Sequence, residues 1–178
     1  EEWRRLEPTL KSLADRAVVE QYGLAGVEFS IDTTSSEIVR RAFDTFGRFI
    51  VNDISAGEDD PEMLGTVASL GLPYVAMHKR GNPRTMDSKC EYPTGVVAAL
   101  KDYFVDFSRK ASEIGVNDWI LDPGLGFAKT EAQNQGFQRR LEPPPFFLYA
   151  HILGSWSRGH SPQINHIRPS RNQRCDSW

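Results

Sequence analysis

Acidic and amide side chains follow three short apolar runs of the 178-residue chain, each where a strand is predicted to end. Asp32 ends FSID, Asn52 and Asp53 end FIVND, and Asp122 ends ILD just before the turn-forming PGLG. Carboxylates and amides at such positions can hydrogen-bond to a polar ligand. They can equally form turns or cap the next helix. For Asp122 the sequence therefore leaves two interpretations open, a residue that shapes the turn or one that holds a ligand.

The elements that must position these side chains alternate between strands and helices. Short apolar runs predict strands at VEFSID, RFIVNDIS, YVAMH and DWILD. Helical spacing and end signals predict helices over 2–20, 35–46, 59–71 and about 94–114, and a loop and helix over 124–142. Thr34 and Ser35, with Glu37, form the predicted cap of the helix over 35–46. Nearly continuous apolar strands separated by helices indicate a parallel sheet, whose carboxyl edge is where ligands bind.

Composition and charge exclude several classes of protein. The formal net charge of −3 argues against a nucleic-acid-binding surface, which needs clustered Lys and Arg. No apolar run approaches the roughly 20 residues of a membrane span, and the charged first twenty residues lack a signal-peptide core. Cys90 and Cys175 are too few for a disulfide scaffold and are expected to be free thiols, with a single bridge as the alternative. We expect a cytoplasmic protein that binds a small molecule, with no nucleic-acid and no membrane partner.

Four segments in order, SIDTTSSEIVRRAF, FIVNDISAGEDDPEML, YVAMHKRGNPRTM and ILDPGLGFAKT, resemble the dihydropteroate synthase family over roughly residues 1–141. The chain has no GxGxxG or Walker-type loop, so dinucleotide and nucleoside-triphosphate sites have no support. The resemblance implies an α/β fold of the (β/α)₈ TIM-barrel type, incomplete because the first two and the last βα units are missing or divergent. It implies a partial pterin-binding barrel domain over 1–154 and an irregular tail over 155–178.

The resemblance also implies an activity and a set of site residues. Family members join 6-hydroxymethyl-7,8-dihydropterin pyrophosphate to 4-aminobenzoate, giving 7,8-dihydropteroate and pyrophosphate in folate biosynthesis, with Mg²⁺ assisting the leaving group. In this mapping Asp122 accepts from the amino and imino groups of the pterin, and Asn52 pairs with another ring edge. Phe127 lies beside the aminobenzoate ring. The mapped catalytic residues are Asp32, Asn52 and Asp122, and the mapped substrate contacts are Asp32, Asn52, Met77, Asp122, Phe127 and Ser157.

The sequence departs from the family pattern at the pyrophosphate end. An asparagine that contacts metal and pyrophosphate is expected before Glu1, so the protein ligand of Mg²⁺ is missing here. The family's Ser-Arg-Lys run corresponds to Ser157-Arg158-Gly159, and its Arg-x-His has no counterpart in RPSRNQRCDSW. The start at Glu1 without methionine indicates a processed, trimmed or partial sequence, and the change of character near 135–145 indicates a reading-frame change or an artificial terminus.

Three alternatives follow from these departures. The chain is a dihydropteroate synthase, whose activity as this chain alone is left open, or a non-catalytic pterin-binding remnant, or the pterin-binding domain of a methyltetrahydrofolate methyltransferase. The MHKRGNPRTM loop and the SIDTT strand favour the synthase. In a partial barrel, open strand edges and exposed apolar helix faces would favour self-association, so a homodimer is one expected assembly.

Overall fold

The computed structural model describes residues 1–81 and 85–140. Its elements are α1 (Glu2–Ala14), α2 (Arg16–Gln21), β1 (Ser30–Asp32), α3 (Ser36–Phe46), β2 (Ile50–Asp53), α4 (Met63–Leu70), β3 (Tyr74–Met77), a 3₁₀ turn (Met86–Lys89), α5 (Val96–Ile114), β4 (Trp119–Asp122) and α6 (Glu131–Arg140). All four predicted strands are confirmed. The predicted tail over 155–178, its boundary and Ser157 lie outside the described residues.

The four strands form one parallel sheet in the order β1-β2-β3-β4. Neighbours in the sheet are therefore neighbours in the chain, and the strand order does not reverse. A doubly wound open sheet has such a reversal, whereas a (β/α)₈ barrel adds each strand beside the previous one. The topology of the described residues is thus that of consecutive units of a barrel.

One face of the sheet packs against the helices and forms the core. Residues of the strands that point to this face include Ile31, Val51, Tyr74 and Ala76, all buried. They pack in one cluster with helix and loop residues, among them Leu10, Val39, Ala42, Met63, Val67, Phe107 and Ala111. Because side chains alternate along a strand, the residues between them point to the opposite face, which the described helices leave uncovered.

Two local predictions were wrong in their details. The single helix expected over 2–20 is two helices, because Asp15 accepts a hydrogen bond from Ala17 N and starts α2. Ser35 lies at the start of α3 but caps nothing with its side chain. Instead Asp60 accepts from Ser36 N at 2.7 Å, from 24 residues away. That acid was expected inside the first turn of the next helix, yet α4 begins only at Met63.

The remaining helix ends follow the expected residue types. Gly47 and Gly115 follow the last residues of α3 and α5, and Gly71 ends α4 in a left-handed conformation with φ of 61°. Within the described residues, none of the helices is long and apolar enough to cross a membrane.

Candidate functional site

The mapped strand residues Asp32, Asn52, Met77 and Asp122 lie on one face of the sheet, at its carboxyl edge. Asp32 is in register with Asn52 across β1 and β2, and Met77 is in register with Asp122 across β3 and β4. Val75 connects the two pairs, because it is in register with Asn52 and lies two residues before Met77. Neighbouring strands are about 4.8 Å apart. Side chains from all four strands therefore line the same face of the sheet.

Two buried oxygen atoms on this face have no hydrogen-bond partner. Within the described part of the chain, three buried side-chain atoms lack a partner: Asn52 Oδ1, Asp122 Oδ2 and Thr66 Oγ1, the last on α4. A buried polar atom without a partner costs about 1–3 kcal/mol. The first two atoms belong to residues on the sheet face opposite the helices that form the core. They are acceptors, so they favour a ligand that offers N–H or O–H groups.

Asp122 combines the two interpretations that its sequence left open. Its Oδ1 accepts a hydrogen bond from Gly124 N at 2.9 Å, which shapes the turn after β4. Its Oδ2 is the atom without a partner, and the residue is only 5% exposed. Burial raises the pKa of this carboxyl above its ordinary value, while the Gly124 N–H and the charge of Lys129 pull it down. One oxygen therefore forms the turn, and the other is buried without a hydrogen-bond partner.

Asp32 has a more open environment than Asp122. It is exposed at the end of β1, yet partial desolvation raises the pKa of its carboxyl, and the charges of Asp53 and Glu2 add to the rise. Met77 is 2% exposed. Phe127 is partly buried in the loop after β4, where its N–H donates to Gly124 O at 3.0 Å. The contacts of these residues with substrate remain predictions.

Asp53 follows Asn52 in sequence but points to the helix side of the sheet. It is fully buried, and its carboxylate accepts four hydrogen bonds. The donors are Ser55 N (2.7 Å), Ser55 Oγ (2.6 Å), Gly57 N (2.9 Å) and Tyr74 Oη (2.6 Å). Burial, followed by the charge of Asp53, raises the pKa of Tyr74, so its hydroxyl stays a donor. Asp53 thus fixes the loop after β2, which includes Ala56 at a positive φ of 50°.

His78 and Lys129 form a second buried group that the sequence did not reveal as such. Lys129 Nζ lies 3.1 Å from His78 Nδ1, and the residues are 7% and 4% exposed. The His78 ring also packs edge-on against Tyr103 at 4.8 Å between centroids. Burial, followed by the charges of Lys129 and Arg80, lowers the pKa of His78 to about 4. His78 is therefore a buried residue that anchors the start of the loop after β3.

The loop after β3 is tied to the loop after β4. Tyr92 Oη donates to Ala128 O at 3.0 Å, and Gln133 Nε2 donates to Cys90 O at 2.9 Å. The guanidinium of Arg80 lies over the Tyr92 ring at 4.8 Å. These contacts hold the loop after β3 against the loop after β4 and the first turn of α6.

The donor set of the site does not fit a metal held by protein groups alone. Among residues 1–81 and 85–140, no three His, Cys, Asp or Glu side chains are grouped so that they could hold a metal ion. Asp32 and Asp122 lie on the two outer strands of the sheet, with β2 and β3 between them. The two carboxylates are therefore separated by two strands and do not form a shared ion site.

We expect the free energy of unfolding to fall as the pH is lowered from 6.5 to about 4. The unperturbed pKa of His78 is 6.5 and its pKa in the fold is about 4. Across this interval the unfolded chain binds a proton that the folded chain does not, so acidification favours unfolding by up to about 3 kcal/mol. Urea denaturation at several pH values, compared between the wild type and His78→Gln, checks this. Parallel pH profiles in the two proteins would contradict it.

Comparison with known proteins gives a consistent result over most of the chain. The sequence profile of the pterin binding enzyme family matches residues 1–165. The folic acid synthesis protein fol1 of Pneumocystis carinii is 39% identical over 143 residues, which are 79% of this chain and 18% of that protein. The dihydropteroate synthase of Synechocystis sp. (strain ATCC 27184 / PCC 6803 / Kazusa) is 39% identical over 117 residues, which are 65% of this chain and 40% of that one.

Solved structures resemble the fold as well as the sequence. Dihydropteroate synthase from Thermus thermophilus, in complex with 4-aminobenzoate, superposes with a TM-score of 0.66 at 35% identity, covering 79% of this chain and 51% of that one. The same enzyme in complex with 6HMPPP gives 0.65 at 34% identity, with the same coverage. The sheet described above is therefore part of a TIM-barrel-type fold, as expected. The chain spans about half the length of these two structures. It spans less than half the length of the two curated relatives.

Proposed function

The chain belongs to the family of pterin-binding enzymes, and we propose that its uncovered sheet face binds the pterin substrate of dihydropteroate synthesis. The reaction joins 6-hydroxymethyl-7,8-dihydropterin pyrophosphate to 4-aminobenzoate and releases pyrophosphate, within folate biosynthesis. Solved relatives in complex with 4-aminobenzoate and with 6HMPPP support this choice of substrates.

The observation that carries the proposal is that Asp122 Oδ2 and Asn52 Oδ1, both buried and without a partner, belong to residues on the same face of the sheet. A pterin is a flat heterocycle with an amino group next to a ring N–H, and one carboxylate can accept from such donors. The Asn52 amide can pair with another ring edge, because an amide both donates and accepts. Met77, buried beside Asp122, offers an apolar surface to the ring plane.

The same carboxylates can favour the chemical step. Departure of pyrophosphate leaves positive charge on the exocyclic methylene and the ring. Fixed negative charges at Asp122 and Asp32 stabilise that charge more than they stabilise the uncharged ring of the bound substrate. The amine of 4-aminobenzoate then attacks the methylene and loses a proton, with its ring beside Phe127. No protein nucleophile is required.

Other features belong to the same proposal and rest on the sequence. Magnesium would enter with the pyrophosphate, since Mg²⁺ is commonly held by substrate phosphates together with one or two carboxylates. A cytoplasmic location and the lack of nucleic-acid and membrane partners are expected from the composition, and a homodimer is expected from the open strand edges of a partial barrel.

The proposal is tested with the full 178-residue chain in two assays. In a calorimetric titration, 6-hydroxymethyl-7,8-dihydropterin pyrophosphate is expected to bind at one site. In a turnover assay with this ester and 4-aminobenzoate, dihydropteroate and pyrophosphate are expected in equal amounts. Binding without turnover would replace the synthase with a non-catalytic pterin-binding protein. The absence of both binding and turnover would refute the site assignment.

A further inference from the structure

Lys129 ends the loop that follows β4, and its ammonium is buried. Nζ donates to Phe127 O at 2.9 Å and to Gly124 O at 3.0 Å, and it lies 3.1 Å from His78 Nδ1. An ammonium has three N–H donors, and these contacts use all of them. Lys129 therefore has no donor left for a substrate, so any effect on ligand binding has to pass through the groups that it holds.

The three acceptors come from two separate parts of the chain. Gly124 and Phe127 belong to the loop after β4, whereas His78 directly follows β3. The ammonium closes the loop on itself and ties it to the neighbouring strand. The two segments are in tight contact there, because a Cβ on Gly124 would lie 2.2 Å from His78 O, and Gly124 has a φ of +63°. This close approach leaves the loop little room to move while Lys129 is in place.

The charge of Lys129 also acts on Asp122 at the start of the loop. Burial raises the pKa of Asp122, and the nearby ammonium opposes that rise. Burial in turn lowers the pKa of Lys129 to about 8, while Asp122 and Cys90 raise it and Arg80 lowers it further. Each buried charge thus offsets part of the desolvation cost of the other. Without the ammonium, the Asp122 carboxylate would be more readily protonated and a poorer acceptor.

We propose that Lys129 is a positioning residue, whose ammonium ties the loop after β4 to the end of β3 and so holds Asp122 and Phe127 in place for the pterin. The identity of the ligand rests on the proposed function. The positioning itself does not, because it concerns contacts within the chain. Lys129 touches neither reacting atom and contributes through geometry and charge alone.

The test compares Lys129→Met, which keeps most of the side-chain length but loses the donors and the charge, with Lys129→Arg, which keeps the charge. Lys101→Met, at an exposed position of α5, is the matched control. For 6-hydroxymethylpterin we expect an affinity at least about tenfold lower in Lys129→Met, because displaced positioning groups typically cost 10- to 100-fold. Lys129→Arg should recover part of this loss, and Lys101→Met should bind like the wild type.

The His78 imidazole gives a readout that does not depend on any ligand. In ¹⁵N NMR spectra of the wild type, Nδ1 should show the shift of a hydrogen-bond acceptor, and Lys129→Met should change that shift and raise the His78 pKa. If the wild type binds no pterin but His78 Nδ1 shows the acceptor shift, the proposed function is refuted. The contact between Lys129 and His78 is then still supported. A folded Lys129→Met protein with wild-type pterin affinity, or with an unchanged His78 signal, overturns the proposal.

If Lys129→Met does not fold, a hydrogen-exchange experiment on the wild type tests the proposal instead. Saturation with 6-hydroxymethylpterin should slow hydrogen exchange at Lys129 Nζ, because a ring seated on Asp122 covers the loop that the ammonium holds. Unchanged exchange at Lys129 Nζ in the saturated protein overturns the proposal.

Discussion

Asp122→Asn is expected to weaken pterin binding by roughly 10- to 100-fold while leaving the turn after β4 in place. Asparagine is nearly isosteric, and its Oδ1 can still accept from Gly124 N, as the carboxylate does at 2.9 Å. At the other position it puts an NH₂ donor where Asp122 Oδ2 offers an unpaired acceptor. That donor would face the donors of the pterin. Hydrogen bonds to charged groups contribute about 1.5–3 kcal/mol, which corresponds to the expected range.

The substitution separates the two roles of Asp122 because each carboxylate oxygen has one of them. Rotating the amide does not help, since the NH₂ would then face Gly124 N. Calorimetric titration with 6-hydroxymethylpterin gives the affinity, and urea denaturation should show a stability change below about 1 kcal/mol, as the turn bond persists. Asp106→Asn is the control, because Asp106 is an exposed acid on α5 that pairs with Arg109. Wild-type affinity in Asp122→Asn would return Asp122 to the role of a turn residue.

Sequence patterns predicted where the strands end but not which way each side chain points. The four strand ends were found because apolar runs stop at polar residues, and parallel strands bring these ends to one edge. Asn52 and Asp53 are adjacent, and both looked like candidate site residues. Since strands of a covered parallel sheet are apolar on both faces, no alternation in the sequence assigned one residue to the ligand side and the other to the helix side.

The contributions of Lys129 and Asp60 could not be predicted from neighbouring residues. A lysine in a polar loop is normally exposed. Only the three acceptors around its ammonium show that Lys129 is buried and links the loop after β4 to the end of β3. The one signal in the sequence is its place directly after the compact run DPGLGFA. Asp60 caps α3 across 24 residues, so the local Ser35 pattern pointed to the wrong residue. Asp60 lies 24 residues from the N–H that it accepts, and His78 lies 51 residues from Lys129, so local sequence rules do not identify either pair.

Asp53→Ala is expected to destabilise the fold by about 4 kcal/mol or more, because it leaves several buried donors without an acceptor at about 1–3 kcal/mol each. The donors are two N–H groups of the loop after β2, the Ser55 hydroxyl and the Tyr74 hydroxyl. Such a loss is a large share of the roughly 5–15 kcal/mol that typically stabilises a domain. Urea denaturation of the full chain measures it, with Asp106→Asn as the control for loss of an exposed carboxylate.

Milder variants show whether the four bonds act together. Tyr74→Phe removes one donor and leaves the carboxylate three, so it should cost only about 1–2 kcal/mol. Asp53→Asn keeps one acceptor oxygen and should fall between the two. The double variant Asp53→Asn/Tyr74→Phe should be less destabilised than the sum of its single changes, because the lost bonds overlap. Since Asn52 immediately precedes Asp53, folded Asp53→Asn should also bind pterin more weakly than Tyr74→Phe. Asp53→Ala within about 1 kcal/mol of the wild type would mean that the loop after β2 holds Asn52 without this carboxylate.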